Sequence, residues 1–307
     1  MRFEGPDGLE VVDLPEPHAG RGEVRVRVHA AAVNPTDTHH ATGARREMLE
    51  ASGPPPYVPG MDVAGVLDEI GEGVETALSL GDAVMAMVLP RGSHGGYSTF
   101  VVLPVEAVVA APRGVDHVSA CTLPMNGLTA RLALDRLAVA AGDTVLVTGA
   151  AGAFGGYAVQ LAKADGLRVI ADASEADEQL VRGLGADDVV RRGPDVAERV
   201  RALVPDGVAA VLDGSVQNGE LFDAVRDGGG FATVRGFRAD APRGITIHEI
   251  WVRECFKDTA KLDRLREQVE AGELTLRVAR TFPLAEAADA HRLLARGGVR
   301  GRLVLEP

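Results

Sequence analysis

Lysine is nearly absent from this 307-residue chain: Lys163, Lys257 and Lys261 stand among 32 basic residues, and the rest are arginine. That skew reads as a coding bias and points to no function. Cysteine is as scarce, and Cys121 and Cys255 are too few for a disulfide framework or a four-cysteine zinc site. Neither has the local basic-and-histidine surroundings that would activate a thiol, so both are expected to be inert core residues. Positive charge does not dominate either. A formal net charge of −12 argues against nucleic acid or an anionic membrane surface as the main partner. No apolar run approaches membrane-spanning length, and Met1 to Gly5 lacks the apolar core of a signal peptide. What is left is an ordinary globular composition, 46% hydrophobic and 25% charged, in a chain long enough for two domains. The expectation is a reduced, cytoplasmic enzyme.

The stretch from Asp143 to Ser174 organises the sequence. Thr144-Val145-Leu146-Val147-Thr148 is an apolar run, Gly149 to Gly156 is a glycine-rich break, and Tyr157 to Lys163 has helical period. Leu167 to Ala171 is a second apolar run, ending in Asp172-Ala173-Ser174. This succession predicts a βαβ unit, in which small turn residues let backbone N–H groups approach a diphosphate at a helix N-terminus. The strict G-x-G-x-x-G pattern is not met, because Ala150 stands at its first glycine; Gly152 and Gly155 fit. A glycine turn that only lets helix and strand pack closely is the alternative. A short-chain dehydrogenase is excluded: the turn lies mid-chain, and Leu161 occupies the lysine position of a Tyr-x-x-x-Lys motif begun at Tyr157.

Around that unit the pattern changes twice. Before residue 120 it is strand-rich: Val24 to Ala30 has period two, with Arg25, Arg27 and His29 on the wetter face. Pro35 ends that strand, a short helix with Thr38, His39 and His40 follows, and Gly53 to Gly60 is a proline-stiffened loop. Strands at Met61–Gly71, Leu80–Ala86 and Gly95–Pro104 suggest a small irregular barrel, and helical period runs from Ser119 to Leu137. After the βαβ unit, helices near 178–186 and 196–203 alternate with strands at Val189-Val190, Val208–Asp213 and Gly230–Val234, which implies a parallel sheet. A helix from Asp258 to Gly272, a strand over Leu274–Val278, a helix over Leu284–Leu294 and a strand over Arg302–Leu305 close the chain.

In this order, Asn34-Pro35-Thr36-Asp37, Pro59 to Gly65, Gly81-Asp82, Gly95-Gly96-Tyr97, Asn126 to Thr129, Gly149 to Gly156 and Gly301 to Val304 resemble the zinc-independent quinone oxidoreductases. These are zeta-crystallin-like members of the medium-chain dehydrogenase/reductase superfamily, and the resemblance covers nearly the whole chain. It implies an α/β fold: a doubly wound parallel Rossmann sheet over 121–249, and a GroES-like β-barrel domain from 1–120 and 250–307. It implies an NADPH-dependent reductase of quinones or α,β-unsaturated carbonyls. A close variant is an enoyl reductase on a biosynthetic, possibly thioester, intermediate. A nucleotide-binding protein without turnover is the different class. A homodimer through the Rossmann sheet is expected.

The residues bear on the details. Zinc relatives need soft thiolate ligands, whereas this chain reads Asn34-Pro35-Thr36-Asp37 and Gly60-Met61-Asp62 at the corresponding places, so no metal is expected. By resemblance, Asn34 hydrogen-bonds in the nicotinamide and substrate region, and Thr129 contacts the nicotinamide end. His39 stands where the family usually has tyrosine; it either donates a proton to a developing enolate or is a surface histidine. Gly149, Ala150, Ala151, Gly152, Ala153 and Phe154 form the diphosphate turn. The loops Gly214-Ser215 and Arg235-Gly236-Phe237 lie at the carboxyl edge of the expected sheet, and Arg302 is either a phosphate ligand or a surface arginine. Among Asp172, Ala173 and Ser174, an aspartate facing the ribose favours NADH and the smaller residues admit NADPH; a one-residue register change reverses the answer.

Overall fold

Val24, Val26 and Val28 alternate with Arg25, Arg27 and His29. In the computed structural model, which describes residues 1–307, this pattern becomes the first half of strand β1 (Glu23–Val33). Helices α1 (Pro35–Ala41) and α2 (Arg46–Ser52) follow, then β2 (Asp62–Ile70), β3 (Ala83–Met87), β4 (Phe100–Pro104), β5 (Val108–Ala110) and α3 (His117–Ala120). Next come α4 (Pro124–Leu137), β6 (Thr144–Thr148), α5 (Ala153–Ala164), β7 (Arg168–Ala173), α6 (Glu178–Gly183) and β8 (Asp188–Arg191). They are followed by α7 (Val196–Leu203), β9 (Val208–Asp213), β10 (Val225–Thr233) and β11 (Thr246–Glu249). The chain closes with α8 (Thr259–Glu270), β12 (Val278–Pro283), α9 (Ala287–Arg296) and β13 (Arg302–Glu306). No helix is long and apolar enough to cross a membrane.

Two compact units result. The first comprises Met1–Met125, Arg253–Glu270 and Leu276–Pro307; the second comprises Asn126–Val252 and Ala271–Thr275. The first crossing therefore falls a few residues beyond the expected boundary at 120. A short return, Ala271–Thr275, joins the second unit because Thr275 N donates to Gln160 Oε1 at 2.8 Å. That tie also explains why the strand expected from Leu274 begins only at Val278.

In the first unit β1 is the hub. It pairs with β2 along most of its length, with β4 over Glu23–Arg27 and with β13 over Ala31–Val33. The sheet order is β12-β13-β1-β2-β3-β5. Register shifts at Arg25/Val26 and Val28/Ala30 bend β1, the device by which a sheet curls around its core. Val24, Val26, Leu67, Val84, Leu103, Leu303 and Leu305 fill that core. One sequence expectation fails here. Arg25 is only 9% exposed, because Asp68 accepts from its Nε at 2.8 Å and the Phe100 ring lies under its guanidinium.

In the second unit the strands run β11-β10-β9-β6-β7-β8, all parallel. Their near-continuous burial fits a sheet covered on both faces. The order reverses between β6 and β9, so a crevice opens outside their carboxyl ends, the ligand position of doubly wound sheets. The helical stretch expected over Ser119–Leu137 is two helices, because Pro124 has no N–H to donate and restarts the helix at its first turn.

Candidate active site

The glycine turn after β6 is built by backbone crowding. Strand β6 ends at Thr148, Gly149 takes φ +64°, and Gly152 is the N-cap of α5. A Cβ on Gly149 would stand 2.8 Å from the carbonyl carbon of Gly214, and one on Gly155 only 2.3 Å from the carbonyl oxygen of Gly149. The positive φ and these close approaches admit only glycine at the two positions. The α5 N-terminus, with Ala153 as its first residue, thus lies directly under the turn, and Ala150 and Ala151 are buried in it. A turn of small residues ahead of a helix N-terminus is a cradle for an anionic diphosphate.

Asp172, near the end of β7, is turned inward. It is 2% exposed, and its Oδ1 accepts from Ala150 N at 3.3 Å while Oδ2 is buried without a hydrogen-bond partner. Burial raises its pKa, opposed first by the Ala150 N–H and then by the charge of Arg192. Ala173 is buried as well, and the Ser174 hydroxyl donates to Asp177 at 2.5 Å. At the end of β9, Asp213 accepts from the Thr148 hydroxyl at 2.7 Å and the Ser215 hydroxyl at 3.2 Å, which ties Gly214-Ser215 to the glycine turn. Gly236 has φ +75° and Arg235 is exposed, while Phe237, half-buried, packs against Phe222 and Phe231. Thr129 lies buried on α4.

In the first unit the resemblance pointed to Asn34, and the structure surrounds it with charge. Asn34 Nδ2 donates to Asp62 Oδ2 at 2.7 Å and to Ala32 O at 3.3 Å. Asp62, fully buried, also accepts from Met125 N at 2.6 Å and from Arg302 Nη2 at 3.3 Å. Burial raises the pKa of Asp62, and Arg302 is the largest opposing influence. Arg302, expected to reach the cofactor phosphates, is 4% exposed and held by this internal pairing, so that assignment is corrected: it is a buried counter-ion within the first unit.

One helical turn away, Asp37 is the second hub. Its carboxylate accepts from Asn34 N at 2.8 Å, Gly60 N at 3.1 Å and the Tyr97 hydroxyl at 3.2 Å. Burial pushes its pKa up to about 7 against the two backbone donors. Tyr97 Oη lies 3.1 Å from His291 Nε2, and burial lowers that imidazole to about 4. Adjacent positions on α1 separate His39, half-buried, from His40, 3% exposed and without a partner on either ring nitrogen. The Asn34-x-x-Asp37 spacing carried a helix-capping signal for this hub. His291 was visible only as one residue of an amphipathic helix.

The donor set does not fit a catalytic zinc ion. Asp62 is ringed by N–H donors, with a guanidinium nitrogen 3.3 Å from one of its oxygens. Cys121 donates its thiol hydrogen to Val118 O, and burial raises its pKa well above the usual thiol value. No three histidine, cysteine or carboxylate side chains converge.

Known proteins resemble this chain throughout. Residues 20–113 match the family described as alcohol dehydrogenase GroES-like domain, and residues 184–305 the family described as zinc-binding dehydrogenase. The 2-haloacrylate reductase of Burkholderia sp is 32% identical, over 99% of this chain and 96% of its own length. The quinone oxidoreductase of Mus musculus is 30% identical, over 99% and 95%. Among solved structures, an NAD-dependent alcohol dehydrogenase superposes with TM-score 0.87 at 32% identity, covering 100% of this chain and 98% of its own. A mycobacterial protein in complex with NADPH gives 0.85 at 28% identity, covering 99% and 97%.

Proposed function

The chain belongs to the medium-chain dehydrogenase/reductase superfamily and is an NAD(P)H oxidoreductase; on that footing we propose that it reduces quinones or α,β-unsaturated carbonyls with NADPH and without zinc. The observation that carries this reading is the Asn34–Asp62–Arg302 network. Charge there is neutralised internally, and the carboxylate is committed to N–H donors rather than open to a Lewis acid. Substrates whose product anion is delocalised need little polarisation of their carbonyl, and these are quinones and conjugated alkenes. The relative that reduces 2-haloacrylate, an activated alkene, supports the same class.

The bound dinucleotide supplies the hydride. The chain's own part is to hold and orient. The turn at Gly149, Ala150, Ala151, Gly152 and Ala153 takes the diphosphate at the start of α5, and Asp172, 2% exposed, braces that turn by accepting from Ala150 N. Arg191 ends β8 and Arg192 follows it, and Arg192 is near enough to lower the pKa of Asp172; that positive charge favours the 2′-phosphate and hence NADPH over NADH. Asn34 acts as a positioning residue, through Asp62 and the start of α1. His39, half-buried on α1, is the candidate proton donor to the reduced substrate, with Thr129 at the nicotinamide end. The edge strand β11 offers its outer backbone to a second copy, which makes the proposed state a homodimer.

The test is loss of NADPH and NADH absorbance with 1,4-benzoquinone and with a simple enone. Turnover with NADPH at a lower KM than NADH is expected. Dinucleotide binding without turnover on any quinone or enone would refute the reductase reading and leave a nucleotide-binding protein.

A further inference from the structure

The loop after β9 has a backbone that its residues disfavour. Val216 stands at φ +61° and Asn218 at φ +57°. Asparagine tolerates the left-handed region, but a β-branched valine there is a true outlier, and such residues persist only where the surroundings over-determine them. The surroundings here are one carboxylate. Asp213 is 1% exposed and accepts four hydrogen bonds: Oδ1 from the Thr148 hydroxyl at 2.7 Å, the Ser215 hydroxyl at 3.2 Å and Gln217 N at 3.3 Å, and Oδ2 from Asn218 N at 2.7 Å. Three of these donors lie within the 215–218 loop, and the fourth is the last residue of β6. Thr148 Oγ1 closes the ring by accepting from Ser215 N at 3.3 Å, and Gln217 Nε2 donates to the Ser215 hydroxyl at 2.7 Å.

The held loop touches the dinucleotide turn. A Cβ on Gly149 would meet Gly214 and Ser215 backbone at 2.8 to 3.0 Å, and one on Gly214 would lie 2.6 Å from Thr148 O and 2.9 Å from the Phe154 ring. The strand order reverses at this same place, between β6 and β9. A dinucleotide crosses from one mononucleotide half of the sheet to the other there. The first half, β6 to β8 with Asp172, takes the adenosine side; the second, β9 to β11, takes the nicotinamide side. We propose that Asp213 is a positioning residue for the nicotinamide half of the cofactor: it holds Gly214 to Asn218 in a strained backbone, so that the loop meets the cofactor ready-shaped. This rests on the dinucleotide reading above.

The experiment measures dissociation constants by calorimetry for NADPH, NADH and the adenosine-half probes 2′,5′-ADP and 5′-AMP, in the wild type, Asp213→Asn and Val216→Gly. Asparagine must turn an amide NH2 toward one of the N–H donors that Asp213 accepts, so the loop loses part of its anchor. The dinucleotide should weaken by about tenfold or more, the size of one lost hydrogen bond to a charged group. The adenosine-half probes should stay within about twofold, since Asp172 and the glycine turn keep their own contacts. Val216→Gly removes the steric conflict, so its melting temperature should be equal or higher while the dinucleotide still weakens. A merely structural Asp213 would weaken both ligand types together with the melting temperature, and that result overturns the proposal. So does a Val216→Gly enzyme that binds NADPH as the wild type does. A wild type that binds neither dinucleotide nor half-probe refutes the dinucleotide reading itself, which separates the two failures.

Discussion

Removing the charge of Arg302 or Asp62 is the sharpest test of the first unit. Their side chains are 4% and 0% exposed, and Asp62 also accepts from Met125 N at 2.6 Å and Asn34 Nδ2 at 2.7 Å. Arg302 has less support, since its Nε is buried without a partner. Breaking a buried pair from one side strands the other charge, at a cost of about 3–5 kcal/mol. Asp62→Asn should sit at the upper end, because a guanidinium cannot discharge itself by losing a proton. Arg302→Met should cost less, because Asp62 can take up a proton. Its loss should grow with pH: burial already raises the folded pKa of Asp62, so stability is complete below the unfolded carboxylate value and is lost as pH rises through the folded one. The double variant removes both charges and should be less damaged than the sum of the singles by about 2 kcal/mol. With two units, a single unfolding curve is not two-state, so the assay is hydrogen exchange of β1 and β2 amides over pH 5 to 8. Singles costing under about 1 kcal/mol, or losses that simply add, would refute the account of a buried and coupled pair.

Three further outcomes are expected. Asp37, raised to about 7 by burial, binds its proton more tightly folded than unfolded, so its contribution is full below about pH 4 and lost as pH rises to about 7. The stability gap between wild type and Asp37→Asn should therefore narrow over that window, by at most about 4 kcal/mol, in hydrogen exchange of the same first-unit amides; a constant gap would show that the carboxyl titrates normally. Gly155→Ala drives a methyl to 2.3 Å from Gly149 O, so the turn must open, and NADPH affinity should fall at least about tenfold by calorimetry with the fold retained. Dialysis against a chelator should leave quinone turnover unchanged and metal analysis should find less than stoichiometric zinc; activity restored only by zinc would overturn the metal-free reading.

The sequence by itself determined the architecture, because periodicity is local. Val24 to Val28 alternate, Thr144 to Thr148 run apolar, and Gly149 and Gly155 mark an interruption where only glycine fits the course of the backbone. The glycine-rich turn and the βα alternation were legible on those grounds. Tertiary structure decided where the charges go. Arg302 read as a phosphate ligand or a surface arginine, yet β13 pairs with β1 and delivers it to Asp62, 240 residues earlier. Tyr97 and His291, 194 residues apart, meet in the same manner below Asp37. The direction of Asp172 depended on a one-residue register that pairing of β7 with β6 had to set. Hydrophobic period specifies which face of an element is buried. A buried charge is defined by its partner, and only the folded chain brings that partner to it.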